Sequence, residues 1–524
     1  MKQILIYLNI IFLTSGNVFG DVSLPAILSD NMVLQRDAAV PIWGWADPGE
    51  EISVRCEWAE NEVKIITNQS GAWQTIISTP ASGGPYHMII SGKNTIRLNN
   101  ILMGEVWVCS GQSNMHFSLK ASLHAKTEIP SADIDEIRLF KVERQIAEQP
   151  LHDCPGSKWI VCNPESVQNF SAVAYHFGKV IHEELNVPVG LIQATWGGTP
   201  AEAWSPNEVF TNDTSLSVVF DRWTQWGKDA GKDSVKYNTD LEKWKYSVNE
   251  AGRTGKIYPE KPEMPSSVYM IARPHRRTSV LFNGMIRPLI PYKIKGVVWY
   301  QGESNRQWAY QYKQLITGMI TSWRSTWEEY SATSDDFPFY YVQIAPNGYS
   351  NLEEAAELRE AQLLSMDIDN SGMVVTADVG NMDDIHPRNK RTVGYRLALW
   401  ALARDYGFKE LVFSGPIYKS FQVEEKSIRV FFDHTGTGLM SGDGTLKGFT
   451  IAGDPHGADT GEFLEADATI DGNTVVVRND KIKQPSRVRY GWTNLDKANL
   501  FNNEGLPVSP FRTDIFQTEN LKNK

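Results

Sequence analysis

The chain has 524 residues, which is enough for more than one domain and for a large buried core. It carries 51 Lys and Arg against 62 Asp and Glu, a net charge of −11 that argues against nucleic acid as the main partner. The hydrophobic fraction of 41% and the charged fraction of 22% are typical of a soluble globular protein. The 17 Trp and 19 Tyr suit a carbohydrate or another flat apolar ligand, although such rings also fill cores.

The first 20 residues have the pattern of a secretory signal peptide. Lys2 precedes an apolar run over 4–13, and small residues follow before position 21. The run is too short to span a bilayer comfortably, and Asp21 is not a lipid-accepting cysteine. We therefore expect residues 1–20 to be a signal peptide and the mature protein to be exported, periplasmic or secreted, without a membrane anchor.

The four cysteines do not have the spacing of a zinc site. Cys154 and Cys162 lie close together in a loop-like segment, and an exported protein either oxidises such a pair or leaves both thiols free. Cys109 lies in an apolar strand and is expected to be a buried free thiol, whereas Cys56 fits either state. No cofactor motif occurs, so we expect neither a metal nor a cofactor.

The pattern of the mature chain divides it into three regions. Residues 21–103 contain short strands separated by turn signals, which is typical of a small β-sandwich. Residues 104–412 alternate apolar strands with helical patterns, so we expect an α/β domain with a parallel sheet. The predicted helices in this region are 173–185, 310–327, 352–366 and 390–406. Residues 413–524 are β-rich again and form either a separate sandwich or one that packs with the N-terminal region.

One segment interrupts the α/β series. Residues from about 206 to 270 are polar and rich in Lys, Glu and Trp, and we expect a largely helical insertion. Trp223, Trp226 and Trp244 lie within it. The segment is either a solvated surface excursion or a lid beside the functional site, and the sequence favours neither.

Ser113 follows a short apolar strand, Val106 to Cys109, at a small polar turn before an expected helix near Asn114. Such strand–turn–helix junctions present reactive groups in α/β proteins, beside backbone N–H groups left free at the helix start. The serine acts either as a helix N-cap or as a nucleophile. The Gly-x-Ser-x-Gly elbow of α/β-hydrolases is absent.

Three further strand ends carry the groups that a nucleophilic serine needs. His386 follows Asp383 and Asp384 in a turn, where an aspartate can orient the imidazole as a base. Gly197 and Gly198 offer backbone donors for an oxyanion, and the 301–305 segment offers side-chain amides. Each motif alone also fits an ordinary turn or cap. Their conjunction at four strand ends of one sheet is far more specific.

The same four segments resemble the sialate O-acetylesterase family, which belongs to the SGNH (GDSL-like) hydrolases. The matching residues are Gly111-Gln112-Ser113-Asn114-Met115, Gly197-Gly198-Thr199 with Glu202 and Trp204, Gln301-Gly302-Glu303-Ser304-Asn305, and Asp384-Ile385-His386-Pro387 with Lys390. Segments 488–492 and 505–514 also resemble this family, so the similarity runs from about 22 to 516. It implies a flavodoxin-like three-layer SGNH hydrolase domain with a parallel sheet, flanked by N- and C-terminal β-sandwich-like regions.

The resemblance also implies residue roles. Ser113 corresponds to the nucleophile and His386 to the base. Gly197, Gly198 and Gln301 correspond to the oxyanion blocks, and Asn305 stands further along than the asparagine typical of the third block. For the acid that orients His386, SGNH spacing points to Asp383, the Asp-Ile-His-Pro motif of bacterial relatives to Asp384, and animal relatives to Asp378. The Asp383 and Asp384 pair is preferred.

These roles imply a serine esterase that removes acetyl groups from sugars, with O-acetylated sialic acid as the expected substrate. The alternatives are deacetylation of xylan or xyloglucan and, from another class, a non-catalytic carbohydrate-binding protein. Rings such as Trp196, Trp204 and Tyr300, or the insertion, are expected to bind the sugar. The arginines at positions 273, 276 and 277 bind a sialic carboxylate or form a surface cluster.

Overall fold

The N-terminal region is a small assembly of strands. The computed structural model describes residues 20–331, 336–349, 351, 353–454, 461–493 and 499–514. The expected signal peptide falls almost entirely outside these residues. The first strands are β1 (Val33–Gln35), β2 (Ala39–Trp45), β3 (Glu51–Cys56), β4 (Val63–Ile66), β5 (Ala72–Ser78), β6 (Gly83–Ser91) and β7 (Thr95–Gly111).

Strand β7 joins this region to the rest of the protein without a linker. Its first half pairs antiparallel with β6, which in turn pairs with β3. Its second half continues into the central sheet, and β1 pairs parallel with Leu102 to Gly104 in the middle of the strand. The expected boundary at 103/104 therefore lies inside one continuous strand. Strands β2 and β5 form a separate ribbon.

The central region alternates strands and helices, as the sequence pattern predicts. Its elements are α1 (Ser113–His116), α2 (Ala125–Glu128), β8 (Ile134–Lys141), β9 (Trp159–Cys162), α3 (Ala172–Leu185), β10 (Val189–Thr195), α4 (Asn207–Asn212), α5 (Val218–Thr254), α6 (Ser266–Ile271), β11 (Gly296–Tyr300), α7 (Ala309–Ser331), β12 (Phe339–Val342), α8 (Glu354–Leu364), β13 (Ser371–Val374) and α9 (Lys390–Asp405).

The central sheet is mixed, with the order β13-β12-β11-β7-β10-β8-β9. All neighbouring pairs along this order are parallel except β8 with β9, which is antiparallel. Strand β7 therefore lies in the middle of the sheet, between β10 and β11. Because parallel strands end at the same edge, Gly111, Thr195 and Tyr300 are brought side by side.

Helices cover both faces of this sheet, and the alternation of side chains along β7 determines which residue faces which layer. Trp107 packs edge-on against Phe177 of α3, with ring centroids 4.9 Å apart. On the opposite face, Trp299 of β11 packs against Trp323 of α7 at 6.0 Å. All four of these rings are fully buried. The structure is thus a mixed α/β fold with additional β-sheet regions at both ends.

The insertion predicted at about 206–270 is helical and consists mainly of the 37-residue helix α5. Among its side chains only Val219 and Ala251 are buried, so most of the helix is solvated. Helix α6 packs against it and returns the chain toward the central sheet. Helix α9 begins at Lys390, as predicted, with the Asn389 side chain accepting a hydrogen bond from the Thr392 N–H.

The C-terminal region contains two four-stranded sheets, β14-β15-β20-β19 and β18-β17-β21-β23, and the pair β16-β22. Their bounds are β14 (Ile417–Glu424), β15 (Ser427–Asp433), β16 (Leu439–Ser441), β17 (Phe449–Gly453), β18 (Leu464–Glu465), β19 (Asp467–Asp471), β20 (Thr474–Arg478), β21 (Pro485–Tyr490), β22 (Leu500–Asn502) and β23 (Phe511–Arg512). Arg512 donates two hydrogen bonds to Glu360 of α8, at 2.8 and 2.7 Å. The region therefore packs on the central domain.

All four cysteines are buried free thiols, so Cys154 and Cys162 are not joined in a disulfide. Burial raises the pKa of both thiols to about 12, which keeps them protonated and unreactive at neutral pH. In the part of the chain that the structure describes, no helix has both the length and the apolar character needed to span a bilayer.

Candidate active site

Ser113 lies where β7 turns into α1. Gly111 ends the strand with φ +135°, and a Cβ there would lie 2.3 Å from the Tyr300 carbonyl oxygen. Only glycine fits this turn without displacing β11. The Gln112 N–H donates to the same Tyr300 oxygen at 3.0 Å, which ties the turn to the neighbouring strand. Ser113 is therefore the first residue of α1, half-buried at the carboxyl end of the central strand.

Ser113 and His386 line one pocket of about 540 Å³ at this edge of the sheet. The pocket is lined by aromatic rings, by aliphatic side chains, and by polar and charged side chains, a combination that suits a sugar ligand. Its lining residues are Gln112, Ser113, Gly198, Trp226, Met264, Ser266, Tyr269, Met270, Arg276, Glu303, Ser304, Arg306, Gln307, Trp308, Ile385 and His386.

Asp384 is the aspartate that contacts the imidazole of His386. Its Oδ1 atom lies 3.3 Å from His386 Nδ1 and accepts the His386 backbone N–H at 2.9 Å. Asp383 is exposed, and its own N–H donates to the Asn381 side chain. Asp378 is engaged elsewhere, because Arg396 donates two hydrogen bonds of 2.7 Å to its carboxylate. Among the three aspartates, the geometry therefore favours Asp384.

A second histidine near the serine is turned away from the pocket. His116 lies three residues after Ser113, but its Nδ1 atom is 3.0 Å from the Thr195 hydroxyl on β10. Burial, reinforced by the positive charges of Arg144 and Lys141, lowers its pKa to about 4. His116 is consequently a neutral, structural side chain that ties α1 to β10.

The glycine pair after β10 lies directly beside the serine. A Cβ on Gly197 would be 3.4 Å from the Ser113 Cβ, and Gly198 lines the pocket with φ +72°. The Arg276 side chain donates to the Gly198 carbonyl oxygen and so holds this turn in place. Gly197 and Gly198 therefore lie beside Ser113, and their role as oxyanion donors stays a prediction.

Comparisons with known proteins point to the same chemistry. Residues 271–402 match a family described as carbohydrate esterase, sialic acid-specific acetylesterase. The sialate O-acetylesterase of Rattus norvegicus is 30% identical over 430 residues, which are 76% of each chain. The chain belongs to the sialate O-acetylesterase family. The human sialate O-acetylesterase is 29% identical over 454 residues, 77% of this chain and 78% of the human one.

The similarity to one solved structure extends over nearly the whole of the present chain. A carbohydrate acetylesterase from Xanthomonas citri is 32% identical, with a TM-score of 0.78 over 94% of this chain and 100% of that one. The family identifies the protein as a carboxylic ester hydrolase.

The expected oxyanion donors Gln301 and Asn305 do not reach the pocket. Both are buried, and the Gln301 Nε2 atom donates to Asn305 Oδ1 at 2.6 Å. Asn305 Nδ2 donates to the Glu202 carboxylate at 2.8 Å, while Asn305 Oδ1 also accepts the Ala201 N–H at 3.0 Å. Because these amide hydrogens already bind protein acceptors, the expectation is corrected: the two residues brace the turn that follows Gly198.

The expected sugar-binding rings are also mostly internal in this esterase. Trp204 and Tyr300 are 0% exposed, so both belong to the core rather than to the pocket wall. Trp196 is half-buried, but its ring stacks on His275 at 4.9 Å, and Arg144 lies 5.4 Å from its centroid. The prediction of sugar contacts is therefore corrected for Trp204 and Tyr300, because core packing occupies their faces.

The rings that do line the pocket come from segments the family motifs do not mark. Trp226 belongs to α5 and Tyr269 to α6, so the insertion forms one side of the site. Trp308, which follows β11, packs against Trp226 with ring centroids 5.9 Å apart. The abundance of tryptophan in the insertion was the available sequence signal. It did not distinguish these rings from Trp244, which lies outside the pocket lining and donates a hydrogen bond to the Pro259 carbonyl oxygen.

The three arginines before the third block have three different surroundings. Arg277 is an exposed partner of Glu148, at 2.7 Å. Arg273 lies over the Tyr269 ring, 3.7 Å from its centroid. Arg276 lines the pocket, is 6% exposed, and has a buried Nε atom without a hydrogen-bond partner among the described residues. Of the three, Arg276 is therefore placed to receive an anionic group of a substrate.

A buried polar network lies directly behind Ser113. Asn114, Glu303 and Lys390 are 0%, 4% and 0% exposed, and hydrogen bonds join all three. Burial lowers the pKa of Lys390 from 10.5 to about 7, although Glu303 and Asp384 favour its charged form. Burial also raises the pKa of Glu303. Such perturbed groups are frequent at functional sites, because those sites concentrate charge out of water.

Proposed function

We propose that this protein removes O-acetyl groups from sialic acids by two-step acyl transfer, with Ser113 as nucleophile and His386 as general base. The observation that carries the proposal is the common pocket of Ser113 and of a histidine held by Asp384. Ser113 and His386, the nucleophile and base of the proposed triad, thus face one cavity, and Asp384 contacts the imidazole of His386.

In the first step, Ser113 attacks the acetyl carbonyl while His386 takes up the serine proton. Because Asp384 contacts Nδ1 of the imidazole, this nitrogen carries the proton and Nε2 is the basic atom. The aspartate then stabilises the imidazolium that forms. The 33% exposure of the His386 side chain leaves room for the ring to contact the substrate.

Backbone N–H groups next to the serine stabilise the oxyanion. The Ser113 N–H is at the first position of α1, where no intrahelical acceptor exists, and the Gln112 side chain does not cap the helix. Gly198 provides a second donor from the turn that faces the serine. Donors fixed in this way need no reorganisation as negative charge develops, which is the basis of oxyanion stabilisation.

The second half of the reaction regenerates the enzyme. His386 gives its proton to the ester oxygen of the sugar as the bond from that oxygen to the acyl carbon breaks, so the sugar leaves as an alcohol and the acetyl group remains on Ser113 as an ester. Water then attacks this ester while His386 accepts the water proton, and His386 returns that proton to the Ser113 oxygen as the acyl–oxygen bond breaks and acetate is released. The acyl pocket needs to hold only a methyl group, so most of the cavity is available to the sugar.

The finer fold assignment belongs to the same proposal: an SGNH-type, flavodoxin-like domain between two β-sandwich-like regions. Its support is the position of the four functional segments after β7, β10, β11 and β13, in a sheet with helices on both faces. We also propose that the protein is exported. That inference rests on the pattern of residues 1–20.

Sialic acid as substrate rests on two observations. The relatives with about 30% identity are named sialate O-acetylesterases, and Arg276 places a guanidinium in the pocket. A guanidinium forms strong hydrogen bonds with a carboxylate, the group that distinguishes sialic acids from neutral sugars.

Acetate release from O-acetylated sialic acid, acetylated xylan and acetylated xyloglucan tests the proposal when measured side by side. We expect a higher kcat/KM on the sialic acid. Faster hydrolysis of either neutral polysaccharide would transfer the assignment to plant-polysaccharide deacetylation. Absence of esterase activity together with sugar binding would instead identify a carbohydrate-binding protein.

Replacement of Arg276 tests the origin of the specificity. Arg276→Gln should lower kcat/KM on O-acetylated sialic acid by about 10- to 100-fold, the value of a hydrogen bond to a charged group. The loss on a neutral acetyl ester should be smaller. The matched control is Arg277→Gln, because Arg277 is exposed and pairs with Glu148. Equal losses on both esters with Arg276→Gln would assign that arginine to the Gly198 turn alone.

A further inference from the structure

The amide of Asn114, next to the proposed nucleophile, connects three loops of the site. Its Nδ2 atom donates to Glu303 Oε1 at 2.6 Å and to the Ile385 carbonyl oxygen at 3.1 Å. Its Oδ1 atom accepts a hydrogen bond of 2.5 Å from Lys390 Nζ. The side chain is 0% exposed, so water does not replace these contacts. One amide thus links the Ser113 turn, the β11 loop and the His386 loop.

Glu303 and Lys390 determine which way this amide faces. An ionised carboxylate only accepts hydrogen bonds, and an ammonium group only donates them. Reversal of the Asn114 amide would place its NH₂ group against the ammonium and its oxygen against the carboxylate. When Glu303 and Lys390 are both charged, the pair therefore permits a single orientation, the one in which Nδ2 reaches the Ile385 carbonyl oxygen.

The same lysine supports the histidine through an aromatic ring. Lys390 Nζ lies 5.1 Å from the centroid of Phe117, and Phe117 stacks on His386 with centroids 6.2 Å apart and an interplanar angle of 26°. Because Asn114 also binds the carbonyl of the residue before His386, both the ring and the backbone of the base are held from the nucleophile side.

The network is expensive for the folded state. A buried carboxylate and a buried ammonium lose their hydration, and Glu303 Oε2 has no hydrogen-bond partner among the described residues. Apolar side chains of similar volume often stabilise a core as well or better. Stability alone therefore does not explain why three polar side chains meet behind Ser113.

We propose that Asn114, oriented by Glu303 and Lys390, is a positioning residue that aligns the Ser113 hydroxyl with the His386 imidazole. The inference rests on the proposed roles of Ser113 and His386, and it assigns no contact with the substrate to Asn114 or Lys390. It predicts that disruption of the network lowers kcat and leaves KM nearly unchanged, because misalignment affects the transition state more than ground-state binding.

The first test is Asn114→Asp, which keeps the shape of the side chain. It removes both N–H donors and places a second carboxylate against Glu303. We expect kcat on a chromogenic acetyl ester to fall by about 100-fold, the scale of a small misplacement of reacting groups, with KM changed less than about threefold. Counting active sites with a serine-reactive phosphonate gives kcat per competent enzyme.

A double variant separates positioning from simple damage. In the wild type the amide at position 114 donates to the carboxylate at position 303. In Asn114→Asp/Glu303→Gln the amide is at position 303 and donates to the carboxylate at position 114, so the hydrogen bond is restored in the opposite direction. We expect at least about a tenfold recovery of kcat over Asn114→Asp, as for directly coupled residues. A double variant no more active than the product of the two single effects would overturn the proposal.

Two controls address folding. Asn502→Asp makes the same change at another buried asparagine, whose Nδ2 donates to the Ser414 carbonyl oxygen in the C-terminal region. It should lower Tm and leave kcat per active site unchanged. If Asn114→Asp does not fold, Lys390→Met provides the test, with an expected loss of about tenfold in kcat. A wild-type kcat in that variant would overturn the proposal.

The outcome is distinguishable from failure of the proposed mechanism. If Ser113→Ala is inactive while Asn114→Asp keeps the wild-type kcat, the positioning role is overturned and the nucleophile assignment stands. If Ser113→Ala keeps its activity, the nucleophile assignment fails, and the positioning proposal that rests on it fails as well.

Discussion

At the scale of single residues, the contacts of the three aspartates around His386 differ in kind. Asp384 contacts the imidazole, Asp378 forms an ion pair with Arg396, and Asp383 is exposed at the surface of the loop. A carboxylate that orients a base affects the rate, whereas one that neutralises an arginine affects stability. The three positions therefore give three different expected phenotypes.

We predict that Asp384→Asn lowers kcat by about 10- to 100-fold, because the imidazole loses both its orientation and the charge that stabilises the imidazolium. The loss is smaller than for a fully buried triad aspartate, since the Asp384 side chain is 48% exposed. Steady-state kinetics on a chromogenic acetyl ester measure the effect. Full activity in this variant would remove Asp384 from the mechanism.

The two other aspartates are the matched controls. Asp378→Asn should lower the free energy of unfolding by about 1 to 3 kcal/mol through loss of its charged hydrogen bonds to Arg396, with little change in kcat per active site. Asp383→Asn should change neither quantity by much. A large loss of kcat confined to Asp383→Asn or to Asp378→Asn would reassign the acid.

Sequence reasoning selected Ser113, His386 and the glycine pair because each belongs to a short motif whose residue types suit one chemical role, and the structure brings Ser113, Gly198 and His386 to one pocket. It preferred the Asp383 and Asp384 pair to Asp378 but did not choose within the pair, because only the folded loop shows which carboxylate contacts the imidazole. It misplaced Gln301 and Asn305 for a related reason. A side-chain amide after a strand points either into a pocket or behind it, and only the acceptors that surround it decide.

At the scale of elements, the start of α9 places Lys390 in the core beside the site. Burial lowers the pKa of Lys390 to about 7 in the folded protein, whereas its pKa in the unfolded chain is about 10.5. Between these pH values the unfolded state binds more protons, so stability rises with pH. Below about pH 7 the lysine is charged in both the folded and the unfolded state, and the folded protein then carries the full free-energy cost of burying that charge.

We predict that Lys390→Met changes the pH dependence of stability in this window. The Tm of the variant minus that of the wild type should be greatest near pH 6 and should decrease steadily toward pH 9, as the wild type loses its buried charge. Thermal melts across this range measure it, with exposed Lys120→Met as the control. A difference that is constant with pH would show that Lys390 does not titrate there.

Element positions were largely predictable, but the role of the insertion was not. The predicted helices at 173–185 and 390–406 correspond to α3 and α9, because apolar spacing and capping residues mark both. Trp226 of α5 lines the pocket together with Tyr269 of α6, and the two helices pack against each other. That contact depends on tertiary packing, which cannot be predicted from the local sequence of a polar helix.

At the scale of the whole molecule, β7 makes the N-terminal region and the central domain one structural unit. Glu105, 2% exposed, accepts hydrogen bonds from Gln35 at 3.0 Å, Arg36 at 2.6 Å and the Tyr406 hydroxyl at 3.0 Å. The composition shift near position 103 led to a predicted boundary there. Because the shift occurs within a strand, the sequence pattern alone does not reveal the continuity.

We predict that a fragment comprising residues 104–412 does not fold stably. It lacks β1 beside β7 and leaves the Glu105 carboxylate without Gln35 and Arg36, a loss of about 3 to 5 kcal/mol for a buried ion pair. Typical domains have only about 5 to 15 kcal/mol in total. Thermal melting compares the fragment with the full chain. A cooperative transition near the full-chain Tm would mean that the central region is independent.

The most direct test of the proposed mechanism is the rate of acetate release by Ser113→Ala. Loss of the nucleophile should lower kcat on an acetyl ester by at least about 1,000-fold, because neither the histidine nor the oxyanion donors replace the attacking oxygen. Ser266→Ala, at another serine that lines the same pocket, should remain within about threefold of wild type. Activity of Ser113→Ala within about tenfold of wild type would contradict the serine mechanism.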